Sequence, residues 1–223
     1  MIDPKEFIIT RKRKKYRFAL FHNSPLAHEA EGWRQITDFS PDVLEVGAGT
    51  GLFSVAAAQL TPDKRFVAID VKADRLQKGA RKAEEQGLTN VRFVRTPADA
   101  LLEDFTAHSL SSIWVTFPDP FPKKRAAKHR LTHRRFLALY QTLLTPQGAL
   151  YFKTDNHPLF DWSLEELVQN GWRIDQLTYD LHASDLPSLY KQLTTYEQRF
   201  LGEGLTICFV RALPPIVAAP THQ

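Results

Sequence analysis

The sequence is poor in cysteine and in long apolar segments. Its 223 residues include a single cysteine, Cys208, which excludes a disulfide framework and a cysteine-based metal site within one chain. A lone thiol is typical of proteins from a reducing compartment, so we expect a cytoplasmic location. The amino-terminal residues contain no apolar segment of signal-peptide length, and no run of residues approaches the length of a membrane span. These absences predict a protein without a membrane partner.

The overall composition is that of an ordinary globular protein, but the basic residues are unevenly distributed. The chain is 43% hydrophobic and 24% charged, and it is long enough to bury a full core as one domain or as a domain with an appendage. The formal net charge is only +4, yet cations concentrate in residues 11–17 and 123–135. Two basic clusters on a nearly balanced chain favour a polyanionic partner.

From residue 42 onward, short apolar runs alternate with segments of helix-forming residues. We predict strands over residues 43–46, 65–69, 91–95, 112–116, 149–153, 172–181 and 205–212. The intervening helices are predicted over residues 52–60, 73–86, 101–105, 132–144 and 158–170. Strands and helices that alternate with short connections predict an α/β fold, with a mostly parallel, seven-stranded sheet covered by helices on both faces.

The domain boundaries follow from where this alternation starts and stops. Residues 1–40 show no clear periodicity, and we assign them to a basic amino-terminal arm that either contacts phosphates or is a mobile terminus. Residues 41–213 are predicted to form the folded domain, and the proline-containing residues 214–223 a disordered tail. The sequence is compatible with either a monomer or a homodimer.

Polar residues follow five consecutive predicted strands, at the edge where a parallel sheet binds ligands. Ligands in such sheets sit beyond the carboxyl ends of the strands. The polar positions at this edge are Glu45, Asp70, residues 97–99, Asp119 and Asp155. Acids scattered at random over a surface would not sort in this way, so we predict a binding site along this edge.

A glycine-rich turn follows the first predicted strand, in the segment Glu45-Val-Gly-Ala-Gly-Thr-Gly51. It departs from a dinucleotide fingerprint, because the third glycine comes two residues after the second and a glutamate precedes the first. Glu45 would repel a pyrophosphate at the helix N-terminus, but it would attract an ammonium and a sulfonium. Asp70 can accept both hydroxyls of an adenosine ribose. These features favour S-adenosylmethionine, held by Glu45, Gly47, Gly49, Gly51 and Asp70.

The segment from Phe117 to Arg130 carries one acid among prolines and cations. Prolines at positions 118, 120 and 122 restrict the backbone on both sides of Asp119. Five cations follow within eight residues, namely Lys123, Lys124, Arg125, Lys128 and Arg130. A rigid acid beside a dense cationic field is typical of a site that acts on a large anion. The alternative is a strand exit followed by a solvated charge run, and the proline stiffening favours the functional interpretation.

Four motifs make the chain similar to a known enzyme family. They are Glu45-Val-Gly-Ala-Gly-Thr-Gly51, Phe117-Pro-Asp-Pro-Phe-Pro-Lys-Lys-Arg125, Lys153-Thr-Asp-Asn156 and Thr194-Thr-Tyr-Glu197. In this order, over about residues 43–209, they resemble the bacterial tRNA (guanine-N-7-)-methyltransferases, which methylate the guanine at variable-loop position 46. The second motif is close to diagnostic, whereas many methyltransferases share the first. The resemblance implies a Rossmann-like class I fold and an S-adenosylmethionine-dependent tRNA-modifying enzyme.

The resemblance also implies a role for each matching residue. The cofactor pocket would be lined by Glu45, Asp70, Asp119 and the position of Pro97. Contacts with the substrate would come from Lys123, Asp155, Thr194, Thr195, Tyr196 and Glu197. Contacts with the RNA would come from Lys124, Arg125, Lys128, His129 and Arg130.

Three positions depart from the family's usual residues. Phe121 stands where tryptophan is usual, which keeps an aromatic ring. Asp70 replaces a glutamate, which shortens the reach to the ribose by one methylene group. Pro97 occupies the position of an acid. Either Asp99 turns in to replace that acid, or backbone groups alone hold the adenine there.

The chemistry at guanine N7 needs no base, because this nitrogen carries a free lone pair at neutral pH. The purine becomes cationic as the sulfonium loses its charge, and a fixed carboxylate favours that charge movement. We assign this catalytic role to Asp119. Asp155 can accept hydrogen bonds from the Watson–Crick edge of an extruded guanine, or it can instead cap the helix ahead of Pro158. Lys123 would hold a phosphate or a carbonyl oxygen.

Other candidate residues are weaker. His129 and His133 have a spacing that could ligate a metal, but the surrounding cations would repel one, so no metal site is expected. Cys208 is more simply a core residue than a nucleophile. Two other functions stay open: a methyltransferase that acts on another RNA or on a small molecule, and a non-catalytic RNA-binding module. The cations that follow Asp119 argue against a small substrate, and the glycine turn argues against pure binding.

Overall fold

The computed structural model describes residues 12–193 and 195–216, and only the backbone of residues 12–14, 195 and 196. The helices are α1 (Lys12–His22), α2 (Ala30–Trp33), α3 (Leu52–Leu60), α4 (Ala73–Glu85), α5 (Leu101–Asp104), α6 (Arg134–Leu143), α7 (His157–Gln169) and α8 (Thr195–Gly202). Two short 3-10 helices span Ala98–Ala100 and Lys124–His129. The strands are β1 (Ala27–Glu29), β2 (Val43–Val46), β3 (Phe66–Asp70), β4 (Val91–Arg95), β5 (Leu110–Thr116), β6 (Leu144–Thr154), β7 (Arg173–Thr178) and β8 (Cys208–Leu213).

The strands form a single mixed sheet in the order β1-β4-β3-β2-β5-β6-β8-β7. The pairs β1–β4, β4–β3, β3–β2, β2–β5 and β5–β6 are parallel, whereas β8 runs antiparallel to both of its neighbours. The predicted α/β fold is therefore confirmed. The strand number is corrected from seven to eight, because β1 lies in a stretch where three residues are too short to display an alternating pattern.

The amino-terminal elements are part of the domain rather than an arm beside it. In α1, Phe21 is completely buried, and β1 pairs with β4 from Ala27 to Glu29. In α2, the buried Trp33 donates its indole N–H to the Asp104 carbonyl oxygen at 2.9 Å. The predicted boundary at residue 41 does not mark a change in packing. Of the predicted arm and tail, residues 1–11 and 217–223 lie outside the described residues.

Two hydrophobic layers cover the faces of the sheet. On one face, α1, α3 and α4 contribute Phe21, Phe53 and Leu76 to a buried cluster. On the other face, α5, α6 and α7 contribute Leu101, Tyr140 and Phe160. Alternate residues of the central strands enter opposite clusters, as the pleat of a strand requires. Among the described residues, no helix is long and apolar enough to cross a bilayer.

The predicted elements of residues 42–178 match the structure to within a few residues, apart from β6. That strand starts at Leu144, immediately after α6, because the turn residues Pro146 to Gly148 are absorbed as a bulged extension that pairs with β5. Helix α8 was not predicted. Its eight residues follow a loop and overlap the Thr194–Glu197 motif, and this motif showed no apolar periodicity that would have indicated a helix.

Candidate active site

A cleft of about 650 Å³ opens at the carboxyl ends of the strands, as the sequence predicts for a parallel sheet. It is lined by residues that follow β2, β3, β4, β5 and β6. Nine of the predicted site residues line it, namely Glu45, Gly47, Gly49, Asp70, Pro97, Asp99, Asp119, His129 and Asp155. Segments that are far apart in sequence thus contribute to the lining of one cleft.

The glycine turn between β2 and α3 adopts a backbone that other residues rarely accept. Gly49 has a φ of 56°, and an added Cβ there would meet nothing within 4 Å, so its backbone faces open space. Gly51 has a φ of 68° and precedes the first residue of α3. A Cβ at Gly51 would lie 2.6 Å from the Phe93 ring. Gly49 therefore leaves room for a ligand, whereas Gly51 permits close packing of the helix on the sheet.

Asp70 joins the end of β3 to the glycine turn. One carboxylate oxygen accepts the Gly49 N–H at 2.9 Å, and the other accepts the Lys72 N–H at 2.8 Å. Each carboxylate oxygen has a second lone pair, and the side chain is only partly buried. Asp70 can therefore brace the turn and still accept hydrogen bonds from two ligand hydroxyls.

Glu45 is buried beneath the cleft, with 1% of its surface exposed. Its two carboxylate oxygens accept hydrogen bonds from the Ser54 hydroxyl at 2.6 Å and from the Thr116 hydroxyl at 2.7 Å. Burial raises the pKa of Glu45 to about 7, although the two hydroxyls and the nearby Lys153 oppose the shift. The negative charge at the floor of the cleft is therefore sensitive to pH near neutrality.

The loop that carries Asp119 has a strained backbone on both sides of the acid. Phe117 and Phe121 have φ values of 49° and 42°, in the left-handed region that costs a bulky residue on the order of 1–2 kcal/mol. Between them, Asp119 is exposed on the wall of the cleft. The prolines predicted a rigid loop, but nothing in the sequence indicated that the two phenylalanines adopt this conformation. Such strain is typical of functional loops that their surroundings hold in place.

Arg130 holds this loop instead of extending toward solvent. Its guanidinium donates hydrogen bonds to the carbonyl oxygens of Pro120 and Phe121, each at 3.1 Å. The same group lies 4.3 Å from the centroid of the Trp162 ring. Two of the five guanidinium N–H donors and one face of the group are therefore used within the protein, and the RNA contact implied for Arg130 stays a prediction.

The rest of the basic loop is exposed and forms the short 3-10 helix from Lys124 to His129. The exposed side chains are Lys123, Lys124, Arg125, Lys128 and His129, and of these His129 lines the cleft. Lys123 was expected to contact the substrate, but it is not one of the described residues that line the cleft. These cations form an accessible positive surface beside the cleft.

Asp155 follows the last residue of β6 and lines the cleft. Burial raises its pKa above the usual carboxyl value, and Arg199 partly offsets the shift. It does not cap α7. The cap is Asn156, whose side-chain oxygen accepts the Leu159 N–H at 2.8 Å. The alternative role for Asp155 is thereby removed, and its carboxylate remains on the cleft wall.

Glu197 is buried away from the cleft, in contrast to its predicted contact with the substrate. Its carboxylate accepts hydrogen bonds from the Lys153 ammonium at 2.7 Å and from the His182 ring at 2.9 Å. Lys153 also donates to the carbonyl oxygens of Tyr190 and Gln192. This ion pair ties α8 to β6, and it was missed because its partners are far apart in sequence.

The three neighbours of Glu197 in the same motif are described only in part or not at all. Thr194 lies outside the described residues, and nothing is described of the side chains of Thr195 and Tyr196. Farther along α8, Phe200 lines the cleft. The sequence did not single out Phe200, because no motif marked it.

Pro97 and Asp99 both line the cleft, after the end of β4. Asp99 is exposed, and its carboxylate pairs with the Arg135 guanidinium at 2.9 Å. Arg135 also lines the cleft, although the sequence grouped it only with the general basic cluster. Arg135 thus holds the Asp99 carboxylate at the cleft, and the replacement of the missing acid by Asp99 stays a prediction.

The two histidines of the basic segment have partners within the protein. His133 precedes α6 and accepts the Arg135 N–H, which corrects the predicted cap at Thr132. The hydroxyls of Thr132 and Ser163 form a buried hydrogen bond instead. The His129 ring lies 5.7 Å from the ring of Phe121. Within the described residues, no group of three or more side chains is arranged to hold a metal ion.

Comparison with known proteins identifies the family. A family model described as "Putative methyltransferase" matches residues 40–210. The tRNA (guanine-N(7)-)-methyltransferase of Cytophaga hutchinsonii is 39% identical over 175 residues, which is 77% of this chain and 79% of the relative. The chain belongs to the tRNA (guanine-N(7)-)-methyltransferase family. The Brevibacillus brevis member is 34% identical over 195 residues, 87% of this chain and 91% of that protein. The family predicted from the four motifs is confirmed.

A solved structure supports the fold of this family member. The 16S rRNA methyltransferase KamB superposes with a TM-score of 0.61 at 17% identity, and the match covers 83% of this chain and 92% of KamB. At this identity the likeness concerns the fold. Together with the observed sheet and the family, it confirms the predicted class I, S-adenosylmethionine-dependent methyltransferase.

Proposed function

We propose that this chain transfers a methyl group from S-adenosylmethionine to N7 of a guanine in tRNA, at variable-loop position 46. One observation carries the proposal. Asp119, on its strained loop, faces the same cleft as the glycine turn, Asp70 and Asp155. The exposed cations beside the cleft suit a polyanionic substrate. The family supplies the reaction class, and the position within the tRNA rests on the resemblance.

The cleft fits the cofactor in size and in chemistry. Its volume of about 650 Å³ lies within the roughly 300–1,000 Å³ of typical ligand pockets. Asp70 would accept the ribose hydroxyls, since each of its oxygens has a spare lone pair. Open space beside Gly49 would admit the ligand close to the backbone, and Glu45 below it favours a cation. The bound cofactor supplies an electrophilic methyl group on a sulfonium.

The chain's residues would position the guanine and stabilise its charge. Asp155 would accept hydrogen bonds from N1–H and the exocyclic amine of the guanine, and these donors favour the ionised carboxylate against the effect of burial. That orientation leaves N7 free. Asp119 would favour the cationic purine electrostatically, and Arg130 would keep the Asp119 loop in place.

The assay is methyl transfer from labelled cofactor to bulk tRNA, with the modified nucleoside identified by mass spectrometry. We expect 7-methylguanosine as the product. A tRNA transcript in which the position 46 guanine is replaced by adenine should accept no label, whereas one with a different variable-loop guanine replaced should accept it normally. Label in another nucleoside would contradict the proposed reaction. Label that persists in the position 46 variant would contradict only the proposed position.

A further inference from the structure

A second surface lies outside the cleft, in a groove between α1 and α4. The groove has a volume of about 490 Å³. Helix α1 contributes Tyr16 and Arg17 to its lining, and α4 contributes Lys78, Arg81 and Lys82. The Tyr16 side chain is 58% exposed, so an aromatic ring is available beside four cations. Such a combination is typical of surfaces that bind nucleic-acid backbones and bases.

The groove adjoins the cleft. Leu52, the first residue of α3, lines both of them. Along α4, Arg75 lines the cleft, and Lys78 and Lys82 follow at positions i+3 and i+7, on the same helical face. At 1.5 Å per residue, these positions cover about 10 Å of helix. A stripe of cations therefore leads from the cleft into the groove.

The cations of the groove are only weakly neutralised. Arg81 and Lys82 both approach the Glu85 carboxylate, at 3.7 and 3.9 Å, and all three side chains are about half exposed. Within the part of the chain that the structure describes, no ion pair involves Arg17 or Lys78. One acid among four cations leaves a net positive surface, and exposed pairs of this kind rearrange readily when a phosphate approaches.

We propose that this α1–α4 groove binds the sugar–phosphate backbone of the tRNA at a distance from the target guanine. The inference rests on the proposed function for the identity of the RNA. The chain's own residues 1–11 are a poor alternative occupant, because they contain two acidic and two basic residues and so lack a complementary charge. The basic loop follows β5, which lies on the other side of β2 from β3, so a tRNA would contact both surfaces across the carboxyl edge of the sheet.

The test compares two variants that each remove three positive charges. The groove variant carries Lys78→Gln, Arg81→Gln and Lys82→Gln, and none of these residues lines the cleft. The control variant carries Lys64→Gln, Arg65→Gln and Arg173→Gln. These three exposed residues lie at the amino ends of β3 and β7, on the opposite edge of the sheet. Any long-range effect of net charge is the same in both variants.

Binding is measured as a function of salt concentration with full-length tRNA and with a short hairpin that presents the same target guanine. For full-length tRNA, the groove variant should lose on the order of 10-fold or more in affinity, and the slope of log affinity against log salt should fall by roughly 0.9 per lost contact. The control variant should retain the wild-type slope. Binding of the hairpin and its single-turnover methylation should be unchanged in both variants.

Three outcomes would overturn the groove proposal. The first is equal loss of tRNA affinity in the groove and control variants. The second is equal loss for tRNA and for the hairpin. The third is a change in hydrogen exchange at residues 1–11 of the groove variant without a change in RNA affinity, which would assign the groove to the chain's own amino-terminal segment. Failure of wild-type enzyme to methylate tRNA, with groove-dependent binding intact, would refute only the proposed reaction.

Discussion

At the scale of single residues, the site is built by side chains that support one exposed acid. Within the described residues, the Asp119 carboxylate forms no hydrogen bond, so its position is set by the loop around it. That loop is strained at Phe117 and Phe121, and the strain persists because Arg130 and the backbone of Lys153 hold the chain on either side. The catalytic role proposed for Asp119 therefore depends on its charge and on the stiffness of its support.

The charge of Asp119 is tested by Asp119→Asn, which keeps size and shape. If the carboxylate stabilises the cationic purine, the single-turnover rate should fall by roughly 10²–10³-fold. Binding of tRNA should change little, because cations dominate it. Asp63→Asn, at an exposed acid before β3 on the opposite edge of the sheet, is the matched control. A near wild-type rate in Asp119→Asn would reduce this residue to a loop-shaping role.

The support of the loop is tested by Arg130→Lys, which keeps the charge but loses the planar fork of donors. One ammonium cannot reproduce both carbonyl hydrogen bonds together with the stacking on Trp162, so kcat should fall about 10-fold while the salt slope of tRNA binding stays unchanged. The control is Arg125→Lys at an exposed position. Arg130→Gln, which also removes the charge, should likewise leave the salt slope unchanged, and a reduced slope in that variant would support the RNA contact that the resemblance implied.

Glu45 makes cofactor binding sensitive to pH. Its pKa is about 7 in the folded protein, and a bound cation favours the ionised form, so binding near pH 6 should release a proton that is not released at pH 8. Glu45→Gln should lose this release. The number of protons released on binding is measured by calorimetry in two buffers of different ionisation enthalpy. Subtracting the value for Glu45→Gln from that for the wild type removes any protons that the ligand itself releases. Equal proton release in both proteins would contradict the ionisation of Glu45.

The same group gives a stability effect with a defined sign. The folded protein holds the Glu45 proton up to about pH 7, whereas the unfolded chain releases it near pH 4.5. The folded state therefore binds more protons between these values, and the contribution of Glu45 to stability falls as pH rises through this window. Urea midpoints of the wild type and of Glu45→Gln should converge toward acid and diverge toward neutral pH.

At the scale of elements, α8 is attached to the sheet through one buried ion pair. Removing one partner of such a pair leaves an uncompensated buried charge, which costs about 3–5 kcal/mol. Glu197→Gln should therefore lower the free energy of unfolding by this order. Glu203→Gln breaks the exposed pair between Arg199 and Glu203, the residue that follows the helix, and should cost no more than about 0.5 kcal/mol. Urea unfolding measures both.

The Glu197→Gln variant also separates a structural role of Glu197 from a role in substrate binding. If Glu197 contacts the substrate, as the resemblance implies, Glu197→Gln should reduce methyl transfer with an unchanged urea midpoint. If Glu197 anchors α8, the urea midpoint should fall. Adding Lys153→Met to Glu197→Gln should then recover part of that fall, since replacing a buried ion pair by apolar side chains is often neutral for stability.

At the scale of the whole molecule, the two cationic surfaces should act independently. A variant with Lys124→Gln, Arg125→Gln and Lys128→Gln in the basic loop should weaken the tRNA and the short hairpin alike, because these residues lie beside the cleft. Combined with the groove variant, the losses of salt slope should add for full-length tRNA. If the combined variant loses no more salt slope than one of the two variants does alone, only one of the two surfaces binds the RNA.

Much of the sheet and most of the cleft could be predicted from the sequence, because both follow from local patterns. Apolar runs mark the central strands, and glycines, prolines and acids mark their carboxyl ends. The pairing of Lys153 with Glu197 could not be predicted, since it joins residues 44 positions apart. The left-handed backbone at Phe117 and Phe121 could not be predicted for a different reason. Phenylalanine does not favour this conformation, and only the tertiary contacts of the loop maintain it.

The order of the strands also has a consequence for biosynthesis. Strand β1 pairs with β4, and the paired residues Glu29 and Arg95 are 66 positions apart. At roughly 5–20 residues per second, the ribosome needs about 3–13 s to make the chain between them. Phe21 and Trp33, both buried in the finished protein, must wait in the nascent chain without their final neighbours. Strand β1 therefore cannot join the sheet until β4, three strands later in the chain, has been made.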